Sequence, residues 1–187
     1  MTTAKGARRR AVLTEAASAL LDEGGFDAVR HRAVAERAGL PLASTTYYFE
    51  SLDALVTAAV EHHARAELSR GRARLVQLAA GPCDDERVVE LVLDALLGPA
   101  TTPDAVVLRY ERFVAAARRP WLGPLMRELR VELDALLLDA LAHSGREVDR
   151  ARLELLVAVV DGAVVNALIE AAPDPRAAAR RLLLRAL

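Results

Sequence analysis

The chain has 187 residues, of which 53% are hydrophobic, 27% charged and only 4% aromatic, with a formal net charge of −1. That length is enough for one domain or two small ones with a real core, and the near-neutral balance means that any surface for nucleic acid must be argued from local charge. Cys83 stands alone, which excludes an internal disulfide framework and fits a reducing compartment. No signal peptide is read at the start, and no run of about 18 apolar residues is free of charge, so a cytoplasmic protein with no membrane partner is expected.

Ala, Leu, Val, Arg and Glu dominate, and β-branched runs bounded by turn signals are missing, so the fold class expected is all-α with about nine helices. Lys5, Arg8, Arg9 and Arg10 make the first ten residues a basic arm without an acid, suited to a phosphate backbone or an adjacent minor groove. Val12, Leu13, Ala16, Ala17, Leu20 and Leu21 recur at helical spacing and predict a first helix from Arg8 to Glu23, stopped by Gly24-Gly25, with Phe26 tucked beneath the next element.

A short amphipathic helix follows from His31 to Ala38, ended by Gly39, which can take the left-handed conformation of a helix stop. Ala35 is small enough for a close crossing, and Leu40 is the apolar plug of the turn. The next helix, Leu42 to Phe49, is too short to build a core and carries Ser44, Thr45, Thr46, Tyr47 and Tyr48, hydroxyls suited to phosphate oxygens and base edges. Two helices joined this way are a helix-turn-helix, whose second member lies in a major groove.

Ser51 is the expected N-cap of a long fourth helix, with Asp53 in its first turn and Gly71 as a place where it bends or breaks. Gly81-Pro82, Gly98-Pro99, Pro120, Gly123-Pro124, Ser144-Gly145 and Pro173 punctuate the remainder into helices at roughly 84–97, 103–118, 122–143, 147–171 and 174–186. Cys83 falls in one of the loops. The helix from Glu147 carries one apolar stripe of Leu153, Leu156, Val157, Val160, Val164, Ala167 and Leu168, and a second of Leu155, Val159, Val165 and Ile169. A helix apolar on most sides needs cover on most sides. A homodimer is therefore expected, with an isologous four-helix interface built on Leu153, Leu156, Val157, Val160, Val164, Leu168 and Leu182 of the last two helices. Two domains are read, residues 1–50 as the DNA-binding head (with the arm 1–10) and 51–187 as a helical ligand-binding and dimerisation domain.

Gly24-Gly25-Phe26, Val34-Ala35-x-x-Ala38-Gly39, Thr46-Tyr47-Tyr48-Phe49 and Ala54-Leu55 together resemble the DNA-binding domain of TetR-family transcriptional regulators over roughly residues 8 to 60. The remainder resembles the family in length, helical character and Asp161-Gly162 within an apolar helix. The resemblance implies a regulator of transcription, a repressor by default, bound to double-stranded DNA at a palindromic operator. By position, the family's contact residues fall on Arg32, Leu42, Ala43, Ser44, Thr46, Tyr47 and Tyr48. Arg32 suits a guanine edge or a phosphate, and Tyr47 is either a contact or half-buried against the first helix. This chain departs from the family where Leu52 stands in place of a phosphate-gripping lysine, Arg30 in place of a threonine cap, and Glu50 adds an acid near the DNA. Weaker electrostatic anchoring is expected.

The resemblance also implies a pocket for a small inducer among the C-terminal helices. Tyr110, Phe113, Trp121 and Met126, with Leu108, supply apolar and aromatic surface, and His62, His63, Arg109, Arg112 and Asn166 supply polar groups, which suits an apolar or amphipathic compound. The alternative is a DNA-binding dimer with no small-molecule inducer, constitutive or controlled by a protein partner. No enzyme is expected: there is no nucleophile motif or phosphate-cradling loop, and adjacent His62 and His63 point about 100° apart on a helix and ill suit one metal. No cofactor and no metal site is predicted.

Overall fold

A computed structural model describes residues 4–79, 84–98 and 102–187. Within these residues the secondary structure is helical throughout: α1 (Ala4–Ala28), α2 (His31–Ala38), α3 (Leu42–Tyr48), α4 (Leu52–Ala79), α5 (Asp85–Leu97), α6 (Pro103–Ala117), a 3₁₀ turn (Pro120–Leu122), α7 (Gly123–His143), α8 (Arg150–Ile169) and α9 (Pro175–Ala186). The expected all-α class is what the chain adopts. The loop reading of Gly81, Pro82 and Cys83, the break at Pro99 and the first three residues of the arm lie outside the described residues.

Side chains cap several of the helices at their N-termini. The Asp84, Asp149 and Asp174 carboxylates accept from the backbone N–H groups of Arg87, Arg152 and Ala177, and the Ser51 hydroxyl accepts from the N–H of Ala54. Each satisfies a donor that the first turn of a helix leaves without an intrahelical partner.

Several details of the helices differ from expectation. Lys5, Arg8, Arg9 and Arg10 are not an arm but the first turns of α1, which starts at Ala4. That helix breaks at Gly24-Gly25, with Gly25 at φ 68°, before a last turn to Ala28. Gly71 neither bends nor breaks α4; a Cβ there would lie 2.5 Å from Leu136 Cδ2, so the glycine serves a close approach to α7. α8 starts at Arg150 rather than Glu147 because Gly145 (φ 78°) closes the preceding turn and Asp149 is the cap. It ends at Ile169, where Ala171 takes a left-handed φ of 51° and the Ala172 N–H donates to the Ala167 carbonyl.

The chain resolves into two compact units. One holds the residues up to Ala66 together with Glu111–Leu125, the other Glu67–Tyr110 and Met126–Leu187, so α4 and α6 each contribute to both. The core of the first unit is Leu13, Ala17, Leu21, Val29, Val34, Phe49, Leu55 and Ala59, all buried. It ties α1 to α2, α3 and the start of α4. Asp22 also accepts from Arg112 of α6 at 2.6 Å, and the Arg119 guanidinium lies 4.2 Å over the Phe26 ring. The core of the second unit draws Val88, Val89 and Leu93 of α5, Leu137 and Leu141 of α7, Leu153, Val160 and Val164 of α8, and Leu183 of α9. Arg176 of α9 donates to Glu90 and Asp94 of α5, each at 2.7 Å.

The interface residues expected on α8 need correcting. Leu153, Leu156, Val157, Val160 and Val164 are buried inside the second unit, with Leu168 partly buried against the same core. They cannot also meet a partner. The outward stripe is the other one, where Leu155, Val165 and Ile169 are exposed, and Leu182 of α9 is exposed as well.

Candidate nucleic-acid interface

The geometry of the head follows from Gly39. At φ 63° and ψ 31° it turns the chain out of α2, its N–H donating to the Glu36 carbonyl and that of Leu40 to the Ala35 carbonyl. Almost any other residue would be strained there. Val34 and Ala35 are buried, so α2 sits tightly on the core and α3 starts immediately after Pro41.

On α3 the hydroxyl row divides. Thr45 is fully buried, its hydroxyl donating 2.8 Å to the Leu42 carbonyl, and it is no contact residue. Phe49 behind it is also buried. These two anchor the helix, which leaves Leu42 (51% exposed), Ala43, Thr46 and Tyr47 facing out, with Ser44 and Tyr48 half-buried. Tyr47 is 81% exposed, which settles against its being half-buried, and its ring meets Tyr48 edge-on at 4.9 Å. A large aromatic exposed to this extent on a seven-residue helix has no packing role to explain it, whereas Tyr48 packs partly against the core.

Arg32 projects from α2, its side chain 85% exposed, and its Nε donates 3.0 Å to Glu36 one turn on. Glu36 was not read as the partner of Arg32, although the spacing of four that makes the pair is visible in the sequence. Arg37 pairs with Glu23 of α1, whose carboxyl is held below its ordinary range by that hydrogen bond. Arg30 donates to the Asp27 carbonyl rather than capping α2. Lys5, Arg8 and Arg9 are exposed on the first turns of α1, and Arg10 lies 4.9 Å over the Phe49 ring. Leu52 is 40% exposed and Glu50 is exposed.

The residues expected to hold a ligand are divided between the two units. His62, His63, Phe113 and Trp121 belong to the first unit, and Arg109, Tyr110, Met126 and Asn166 to the second. Arg109 is buried and donates to Glu67 at 2.6 Å and to the Leu96 carbonyl at 2.8 Å, where it closes the C-terminal end of α5. Tyr110 donates 2.8 Å to Asp161. Asn166 is exposed on the outer face of α8, away from the core, and so is not placed as a lining residue. An open cleft of about 430 Å³ between α4, α5 and α9, bordered by Arg74, Glu86, Glu90, Asp94 and Arg180, contains none of the expected ligand residues.

A short helix pair fixed by a left-handed glycine, with its second member showing a tyrosine and a threonine to solvent, defines a helix-turn-helix DNA-binding regulator. Residues 13–59 match the family of bacterial regulatory proteins, tetR family, and residues 83–187 match the Tetracyclin repressor-like, C-terminal domain. The chain belongs to the TetR family and is a DNA-binding transcriptional regulator, not an enzyme. Among solved structures it is similar to the multidrug binding protein EbrR complexed with ethidium, at 33% identity and TM-score 0.69 over 96% of this chain and 98% of that one. The EbrR complex with proflavin matches at 32% identity and TM-score 0.69, covering 96% and 99%. A TetR-family member from Streptomyces coelicolor A3 (SCO1917) matches at 30% and TM-score 0.64, covering 96% and 98%. No curated protein sequence matches. No helix among the described residues is long and apolar enough to cross a membrane.

Proposed function

We propose that the protein is a homodimeric repressor that binds a palindromic operator through α3 and α2 and is released from it by a small apolar or amphipathic inducer. The observation that carries the DNA reading is the exposure of Leu42, Ala43, Thr46 and Tyr47 above a buried Thr45, which makes α3 a surface for recognition. Arg32 is assigned to a base edge or phosphate, Ser44, Tyr47 and Tyr48 to the backbone, and Thr46 and Leu42 to base edges or thymine methyls.

Dimerisation is assigned to the outward stripe of α8. Leu155, Ala158, Gly162, Val165 and Ile169 are all exposed, and their alternating spacing of three and four residues is that of a seam between packed helices. Among the described residues nothing beyond Gly162's own stretch of helix comes within 4 Å of a Cβ built on it, so a glycine that costs a helix about 1 kcal/mol serves no close approach there. A partner helix pressed close to it supplies one. Two heads related by a two-fold axis then read two half-sites.

The ligand reading is supported by the EbrR structures, which contain ethidium, proflavin, malachite green and imidazole. The first three of these compounds are organic cations with largely apolar aromatic bodies, and as inducers they fit the amphipathic class. α4 and α6 contribute residues to both units, so a ligand bound in the second unit acts on the head by preferring one setting of these helices.

The test is binding to DNA from the protein's own promoter region, repeated with ethidium, proflavin and neutral apolar compounds. A retarded complex that at least one compound dissolves is expected. Equal binding to unrelated DNA would overturn the operator reading, and binding that no compound alters would overturn the inducer.

A further inference from the structure

We infer that the overhanging first turns of α1 are a second DNA surface, on which Lys5, Arg8 and Arg9 hold phosphates flanking the base pairs read by α3. The inference rests on the proposal that the protein binds an operator through α3. It adds a further set of contact residues, and with them a share of the affinity that is indifferent to sequence.

In the first unit Arg32, Arg37, Arg65 and Arg112 each face a carboxylate: Glu36, Glu23, Glu61 and Asp22 respectively. Lys5, Arg8 and Arg9 are exposed, and among the described residues none of them has an ion-pair partner. They also repel one another. Lys5 stands three residues before Arg8 and four before Arg9, the spacings that set side chains side by side on a helix. All three sit toward the positive end of the helix dipole, with no acid in the first turn and none before Glu15. A helix end written this way is relieved by anions from outside the chain.

Packing sets which way these cations face. The first buried residue of α1 is Leu13, and the helix starts at Ala4, so it runs on for about 14 Å past the core at 1.5 Å per residue. At about 100° per residue, Lys5 and Arg9 share a side of the helix with Ala16, Leu20 and Glu23. Ala16 and Leu20 pack into the core of the first unit, and Glu23 holds Arg37 of α2. The basic side therefore continues the side on which α1 carries the helix-turn-helix. Arg10 lies 4.9 Å over the ring of Phe49, the residue that ends α3, and this contact sets the overhang beside the recognition helix. A helix about 10–12 Å across does not enter a minor groove about 6 Å wide, so these side chains meet the phosphate backbone. Phosphate contacts position a protein on the duplex and carry no sequence information.

The experiment compares full-length wild type with a triple variant, Lys5→Ala with Arg8→Ala and Arg9→Ala, by fluorescence anisotropy across a salt series. The duplexes are the footprinted operator with its flanks, the same operator trimmed to its two half-sites, and a scrambled sequence. Three cations in each of two heads neutralise up to about six phosphates, each contributing about 0.9 to the slope of log affinity against log salt. The triple variant should show a slope shallower by about 3–5, with an operator-to-scrambled ratio within about twofold of wild type. Trimming should cost wild type about tenfold and the variant little. A control lacking Arg70, Arg118 and Arg127, exposed cations elsewhere, should keep the wild-type slope. A wild-type slope in the triple variant would overturn the inference, as would a control that loses as much, or a collapsed ratio, which would make these residues base readers. Each of those results leaves the operator reading standing, whereas a wild type that does not prefer operator to scrambled duplex would sink both. Should the triple variant fail to fold, wild-type affinity that trimming leaves unchanged would contradict the assignment.

Discussion

Arg32 offers a sharp perturbation, because its structural and DNA-binding roles differ in size. In the free protein its side chain is 85% exposed and paired with Glu36, itself 68% exposed, at 3.0 Å. An exposed pair at this spacing contributes about 0.3–0.5 kcal/mol, so Arg32→Ala should leave thermal stability nearly unchanged. A bidentate base contact discriminates by about 1–3 kcal/mol, which at about 1.4 kcal/mol per tenfold is a loss of about five- to a hundredfold per half-site. Glu36→Gln works in the opposite direction. It releases the guanidinium from its partner and removes an acid facing the phosphates, so affinity should rise by about threefold at low salt and converge with wild type as salt screens the charge. Fluorescence anisotropy with operator and scrambled duplexes across a salt series reads all of this. If Arg32→Ala bound both duplexes as the parent does, or if Glu36→Gln weakened binding, the assignment of Arg32 to DNA would be wrong.

Three further outcomes are expected. Gly39→Ala places a Cβ where nothing lies within 4 Å, so its cost is that of a left-handed backbone alone, about 1–2 kcal/mol, read as a lowered melting temperature with operator affinity retained below it. Ile169→Glu, at a position 76% exposed on the outward face of α8, should yield monomers by light scattering and lose operator affinity without unfolding, whereas a dimer that persisted would move the interface elsewhere. Arg176→Ala removes a side chain that is 13% exposed and bound to both Glu90 and Asp94, and should cost about 2 kcal/mol by chemical denaturation. Burial raises the Glu90 carboxyl, but Arg176 and Arg180 outweigh it and hold the group below its ordinary 4.5. Its stabilisation is therefore present above pH 4.5 and lost as pH falls below it. The acid-side drop in melting temperature should be shallower in Arg176→Ala than in wild type, and equal slopes would argue against the pairing.

The helices were legible where a periodic stripe met a stop signal. Val34, Ala35 and Ala38 followed by Gly39 identified α2 and its turn because the backbone there admits little but glycine. What could not be read was which of two similar stripes faces inward. On α8 both are apolar, and only the positions of α5, α7 and α9 decide that Val160 is covered and Ile169 is not. The hydroxyl row of α3 was ambiguous in the same way, since a threonine satisfies its own hydroxyl on a helix carbonyl and can be buried, as Thr45 is. Long-range partners left no trace at all. Nothing near Tyr110 marks Asp161, 51 residues on, as the acceptor of its phenol, and nothing near Asp22 marks Arg112, 90 residues on.

The central claim is that α3 enters the major groove in two copies. Dimethyl sulfate probing of guanine N7, an atom that faces that groove, tests it most directly on a footprinted operator. The account predicts two protected clusters related by a dyad and centred about one helical turn, or a multiple of it, apart. Guanines that stay reactive under a bound protein, or a single cluster without a symmetric mate, would contradict it.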